Sequence, residues 1–220
     1  MGKLIVIEGI DGSGKSTQYK KLRERLESEG KNFRTLVFPR YDNPSSSLIR
    51  MYLGGEFGSD PGDVNAFAAS TFYSVDRYAS YKTDWEAYYK EGGVLLSDRY
   101  TTSNAVHQGA KMPENEREAY FAWLEEFEFG RLQLPRPDMV IFLSVPPTIS
   151  QKLIEGRYQG DNEKKDIHEA DLGYLERCYA GAGYVADRQG WQMLDCAPEG
   201  AMLSVEEISD KIWEMVQAIL

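Results

Sequence analysis

Cysteine and histidine are nearly absent, with two of each among 220 residues. Cys178 and Cys196 alone cannot build a disulfide framework or a thiolate cluster. His107 and His168, far apart in sequence, do not make a metal site. No apolar run approaches the ~18 residues of a membrane span, and the N-terminus enters a short strand-like run instead of a signal sequence. Few thiols and no leader lead us to expect a cytoplasmic protein with no membrane partner. A surplus of positive charge is also missing: 25 Lys and Arg against 35 Asp and Glu leave a net charge of -10. So acidic a surface repels a polyphosphate backbone, which argues against nucleic-acid binding in general. A small phosphorylated ligand held by a few local cations remains open. The 42% hydrophobic content supports a real core. With no repeat, low-complexity tract or linker, we expect a single domain over residues 1–220.

Short apolar runs alternate with helical periodicity along the chain. Leu4-Ile5-Val6-Ile7 reads as a buried strand, and Tyr19, Leu22 and Leu26 then recur at helical spacing until Gly30. Leu36-Val37-Phe38, Val94-Leu95-Leu96, Met139-Val140-Ile141-Phe142-Leu143 and Trp191-Gln192-Met193-Leu194 are four further strands. Helices are expected over 45–54, 63–91, 114–130, near 170–188 and over 204–219, with another starting at Pro146-Pro147. None of the strands shows a period of two. The expectation is an α/β fold of three layers, a parallel sheet of about five strands covered by helices on both faces.

Gly9-Ile10-Asp11-Gly12-Ser13-Gly14-Lys15-Ser16 is a full G-x-x-x-x-G-K-[ST], placed between an expected strand and an expected helix. Glycines there let backbone N–H groups converge on phosphate oxygens, and the helix N-terminus adds positive partial charge. Lys15 can reach the β- and γ-phosphates of a nucleoside triphosphate, and Ser16 can offer a hydroxyl to Mg²⁺. A dinucleotide-binding loop is excluded because Thr17 stands where its last glycine would be. Asp98 ends the third strand, where a second metal-holding carboxylate would serve. Arg99 beside it suits the clamping of phosphoryl oxygens, although a strand-end salt bridge would read the same way. No N-K-x-D occurs, which argues against a GTPase.

Four segments in order then resemble the thymidylate kinase family, a group of P-loop nucleoside monophosphate kinases. They are Glu8 through Thr17, Phe38-Pro39-Arg40-Tyr41, Phe72-Tyr73-Ser74-Val75-Asp76-Arg77, and Asp98-Arg99-Tyr100 followed by Ser103-Asn104. The resemblance implies transfer of the γ-phosphate of ATP to dTMP, giving dTDP and ADP. It implies that Arg40 and Arg99 hold the acceptor phosphate, that Tyr73 stacks on thymine, and that Arg77 bonds a base carbonyl. Asn104 would read the pyrimidine edge, with Tyr41 and Ser103 in the same acceptor site. Asp11 would meet the deoxyribose 3′-hydroxyl or the metal shell. Many members carry Tyr where this chain has His107, packed against the sugar. The charged, glycine-containing stretch 156–171 is expected to be a lid, supplying Arg157, Lys164 or Lys165 to the phosphates; Arg157 is preferred for its bidentate geometry. By the same resemblance a homodimer is expected, with the aromatic helix over 63–91 as its surface.

Overall fold

The computed structural model describes residues 1–158 and 171–220, with Arg157 and Tyr158 described by their backbone alone. Strand β1 (Lys3–Glu8) leads through the glycine loop into helix α1 (Lys15–Ser28), then β2 (Phe33–Val37) and α2 (Ser47–Leu53). Next come α3 (Ala66–Ser80), α4 (Glu86–Lys90), β3 (Val94–Asp98), the short α5 (Thr101–Ser103) and α6 (Glu114–Glu125). Strand β4 (Met139–Ser144), α7 (Pro147–Tyr158), α8 (Leu172–Gln189), β5 (Gln192–Asp195) and α9 (Val205–Gln217) follow.

The five strands form one parallel sheet in the order β2-β3-β1-β4-β5. The missing period of two has a simple cause. Leu4, Val6, Leu95 and Phe142 join the core on one face, with Trp85, Tyr120 and Cys178. Ile5, Ile7, Leu96 and Ile141 join the core on the other, with Leu22, Leu26, Ile212 and Trp213. Both faces are covered, so both sets of alternating side chains are apolar. Helix α9 is set onto its face by a capping box, in which Ser204 and Glu207 satisfy each other's backbone N–H.

Two long helices expected from the sequence are interrupted. The stretch 63–91 begins as a helix only at Ala66, where the Asn65 side chain accepts from Ala68 N–H. It then widens into a π turn over Tyr81–Trp85 before α4. The stretch 114–130 likewise passes from α6 into a π turn, Glu126–Arg131. A third π turn, Asn104–Gln108, follows α5. Two of these three turns carry polar residues into the interior, a common place for such bulges at functional sites. The second strand starts at Phe33, earlier than the apolar run alone suggests, and Phe38–Pro39 is a cis peptide bond.

Parallel register aligns Ile7 with Asp98. The C-terminal ends of β1 and β3 therefore open side by side, and β1 runs on to β4 on its other flank. Crevices outside such strand ends, where the strand order reverses, are the preferred ligand positions of open α/β sheets.

Candidate active site

The cleft at these strand ends has a volume of about 630 Å³. Its floor is the loop from Asp11 to Thr17, and its walls include Tyr41, Tyr73, Arg77, Asp98, Arg99, Ser103, Asn104 and His107. Gly12 and Gly14 have φ of 76° and 83°, open to glycine at no steric cost. A Cβ on Gly12 would also meet the Ser150 carbonyl of α7 at 2.4 Å. The loop thus turns tightly against the helix that leads toward the stretch 156–171.

Lys15 is buried and donates from Nζ to the Ile10 carbonyl at 2.8 Å, with Asp11 at 3.9 Å. Burial, and after it the Arg99 charge, lowers its pKa to about 8. Arg99 sits at φ 65°, a left-handed conformation costly for a side-chain-bearing residue and typical of strain held at a site. Its guanidinium donates to Asp11, to Glu8 at 3.4 Å and to Ser103 Oγ at 3.2 Å. Burial works against that charge, but Asp11, Glu8 and Asp98 together more than offset it and raise the pKa. Asp98 is shifted upward, first by burial, against the pull of Lys15 and Arg99.

Glu8 ties the cluster together. It has no exposed surface and accepts from Gly9 N–H at 2.9 Å, Thr102 Oγ1 at 2.8 Å and Ser103 Oγ at 2.6 Å. His107 Nε2 lies 3.0 Å from Arg99 Nη1. A guanidinium only donates, so Nε2 accepts and the imidazole proton sits on Nδ1.

Deeper in the cleft, Arg77 is 2% exposed and pairs with the buried Glu128 through two bonds, Nε at 3.2 Å and Nη2 at 2.6 Å. Asn104, also 2% exposed, donates to the same carboxylate at 3.1 Å. The cleft therefore combines groups suited to polyphosphate, around Lys15 and Arg99, with a second set of directed polar groups, Arg77 and Asn104, and the Tyr73 ring also lines it.

The family model for thymidylate kinase matches residues 7–212. The chain belongs to the thymidylate kinase family. It is 34% identical over 190 residues to the thymidylate kinase of Mycobacterium tuberculosis, covering 86% of this chain and 87% of that one. It is 32% identical over 177 residues to the Schizosaccharomyces pombe thymidylate kinase, with 80% and 76% covered. Against human thymidylate kinase it is 33% identical over 144 residues, with 66% and 61% covered.

Within this thymidylate kinase fold the expected site residues are placed unequally. The phosphate loop from Asp11 to Thr17, with Asp98, Arg99, Tyr41, Tyr73, Arg77, Ser103, Asn104 and His107, converges on one cleft. Gly9 and Ile10 stand behind the loop, Ile10 inside the core. Arg40 is not brought in. Its guanidinium is committed to Asp76 at 3.3 Å, Asp84 at 2.5 Å and Ser45 Oγ at 3.1 Å, and it does not line the cleft. The side chain of Arg157, and Lys164 and Lys165, lie outside the described residues. Glu8 and Glu128, buried carboxylates that hold Arg99, Arg77 and Asn104, are not among the residues that the motifs assign to the site. Each had a signal: a carboxylate closing an apolar strand, and a carboxylate four residues beyond Leu124 on a core-facing stripe.

Among the described residues no cluster of three His, Cys, Asp or Glu could hold a metal unaided. Mg²⁺ does not need one, since it binds through one or two protein groups, substrate phosphates and water. Exposed Ser16 and the Asp98 carboxylate, which makes no hydrogen bond among the described residues, fit that requirement. Among the described residues no helix is long and apolar enough to cross a membrane.

Proposed function

We propose that this cleft transfers the γ-phosphoryl group of ATP to dTMP, giving dTDP and ADP. The observation that carries the reading is that two sets of groups, Lys15 with Arg99 and Arg77 with Asn104 and Tyr73, line one cavity. A nucleotide switch needs the first set; only a second nucleotide explains both.

Phosphoryl transfer passes through a loose transition state with charge spread over the moving group, so positioning and charge neutralisation supply most of the catalysis. Loop amides from Asp11 to Thr17 and the N-terminus of α1 grip the β-phosphate side of ATP. Lys15 neutralises the β- and γ-oxygens. Arg99, held by Asp11, Glu8 and His107, faces the oxygens between donor and acceptor. Tyr73 stacks on the acceptor base, Arg77 donates to its carbonyl, and Asn104 and Ser103 complete that wall. Asp11, already bonded to Arg99, sits where the sugar 3′-hydroxyl arrives. Tyr41 and His107 flank the sugar. Arg40 reaches the acceptor phosphate only if both Asp76 and Asp84 release its guanidinium. Mg²⁺, held by Ser16 and Asp98, supplies charge neutralisation on the phosphates when bound.

Helix α3 leaves Phe67, Val75 and Tyr78 exposed on one stripe. We assign that stripe to pairing with a second copy of the chain. Two buried free thiols fit a reducing cytoplasm as the place of reaction. The test is a coupled ADP-release assay with Mg-ATP against a panel of nucleoside monophosphates. Turnover is expected with dTMP foremost; ADP release independent of any monophosphate would contradict the reading.

A further inference from the structure

Glu128 is 0% exposed, on the stripe where Phe121 and Leu124 pack. A buried carboxylate needs compensation, and this one accepts four hydrogen bonds. They come from Arg77 Nε at 3.2 Å, Arg77 Nη2 at 2.6 Å, Asn104 Nδ2 at 3.1 Å and Ser74 Oγ at 2.8 Å, whose one proton is shared with the Ser70 carbonyl, also at 2.8 Å. A carboxylate that served only to neutralise Arg77 would have no need of the Asn104 amide.

The Asn104 amide nitrogen donates also to the Ser70 carbonyl at 3.3 Å. Both of its neighbours can only accept, so the NH₂ end must face them. The amide oxygen is then what Asn104 offers to the cleft it lines. Arg77 is held in a similar way. Its Nε–Nη2 edge is spent on Glu128, while Nη1 makes no hydrogen bond among the described residues. The Tyr100 ring, 5.3 Å from the guanidinium carbon, and the Phe38 ring, at 5.8 Å, hold the group from the sides. The wall so formed carries a donor beside an acceptor.

We propose that Glu128 is the positioning residue that sets base selectivity, by fixing which end of the Asn104 amide and which edge of Arg77 face the substrate. The inference rests on the reading of Arg77 and Asn104 as base-facing groups. A donor beside an acceptor matches a thymine-type edge, a carbonyl next to a ring N–H. It mismatches a cytosine-type edge, an amino group next to a bare ring nitrogen. Without the carboxylate, the Asn104 amide is able to turn over and offer its NH₂ instead, and the mismatch disappears.

The probe is 5-methyl-dCMP, which differs from dTMP in that edge alone. Wild-type enzyme is expected to favour dTMP over it in kcat/KM by at least about a hundredfold, as for sites built around directed hydrogen bonds. Glu128→Gln has one acceptor oxygen where the wild type has two, and so releases Asn104 or Arg77. It is expected to raise the KM for dTMP, to leave the KM for ATP unchanged, and to shrink the selectivity ratio by about tenfold or more. A merely structural Glu128 would lower the melting temperature and kcat for both substrates and leave the ratio in place, which overturns the proposal. A wild type that uses both monophosphates alike also overturns it, whether or not the variant folds. A wild type that uses neither defeats the proposed kinase reaction, and this inference with it.

Discussion

His107 joins Arg99 to Cys178, with Nε2 3.0 Å from the guanidinium and Nδ1 3.7 Å from the thiol sulfur. Arg99 therefore approaches the cleft held by an acceptor that carries no charge, next to two carboxylates that do. Replacing His107 by Phe keeps the bulk and removes the acceptor. We expect kcat with dTMP to fall by about tenfold, with the KM for ATP unchanged, and His107→Gln to recover most of the loss. Steady-state kinetics of the three proteins decide it; an unaltered kcat in the Phe variant reduces the contact to packing.

Lys15 carries a testable pH signature. Its pKa is lowered to about 8 by burial and by Arg99, while an unfolded lysine titrates near ~10.4. Between those values the unfolded chain binds a proton that the native chain lacks, so this group makes stability rise with pH across that window. ATP favours the ammonium form, so binding above pH 8 draws a proton in. Calorimetric titration at about pH 9, in two buffers of different ionisation enthalpy, should register uptake of most of one proton. Lys15→Met should abolish the uptake and lower kcat by roughly 10²–10³, with circular dichroism unchanged.

Gly12→Ala meets two obstacles at once, a φ of 76° and a carbonyl 2.4 Å from the new Cβ. The conformational part alone costs about 1–2 kcal/mol, and the loop must shift off α7. A lower thermal midpoint and a raised KM for ATP are expected, whereas an unchanged midpoint would mean that the loop has slack.

The exposed stripe of α3 is tested by Val75→Glu, since Val75 is 50% exposed. A charge there is costly only if the stripe is covered. Light scattering should report a change from two chains to one, and a variant that still pairs would place the interface elsewhere.

Much of this was readable before the structure. A G-x-x-x-x-G-K-S between a strand and a helix depends on local backbone chemistry, and the apolar runs of β1 and β4 have few alternatives in a chain this charged. What resisted reading was side-chain commitment across distance. Arg40 follows a strand end as a phosphate ligand should, yet Asp76 and Asp84, more than thirty residues on, hold its guanidinium. Glu128 follows the acidic pair Glu125 and Glu126 in sequence, and only the packing of the π turn against α3 shows it to be the partner of Arg77. The π turns themselves were hidden because a wide turn keeps helical periodicity on either side of it.

The central claim is that the phosphate held over Lys15 passes directly to a second nucleotide in the same cleft. Enzyme given ATP labelled with ³²P at the γ-position, together with dTMP, should place the label in dTDP in step with ADP formed, leaving little as inorganic phosphate. Label released as inorganic phosphate at the same rate with or without dTMP would contradict it.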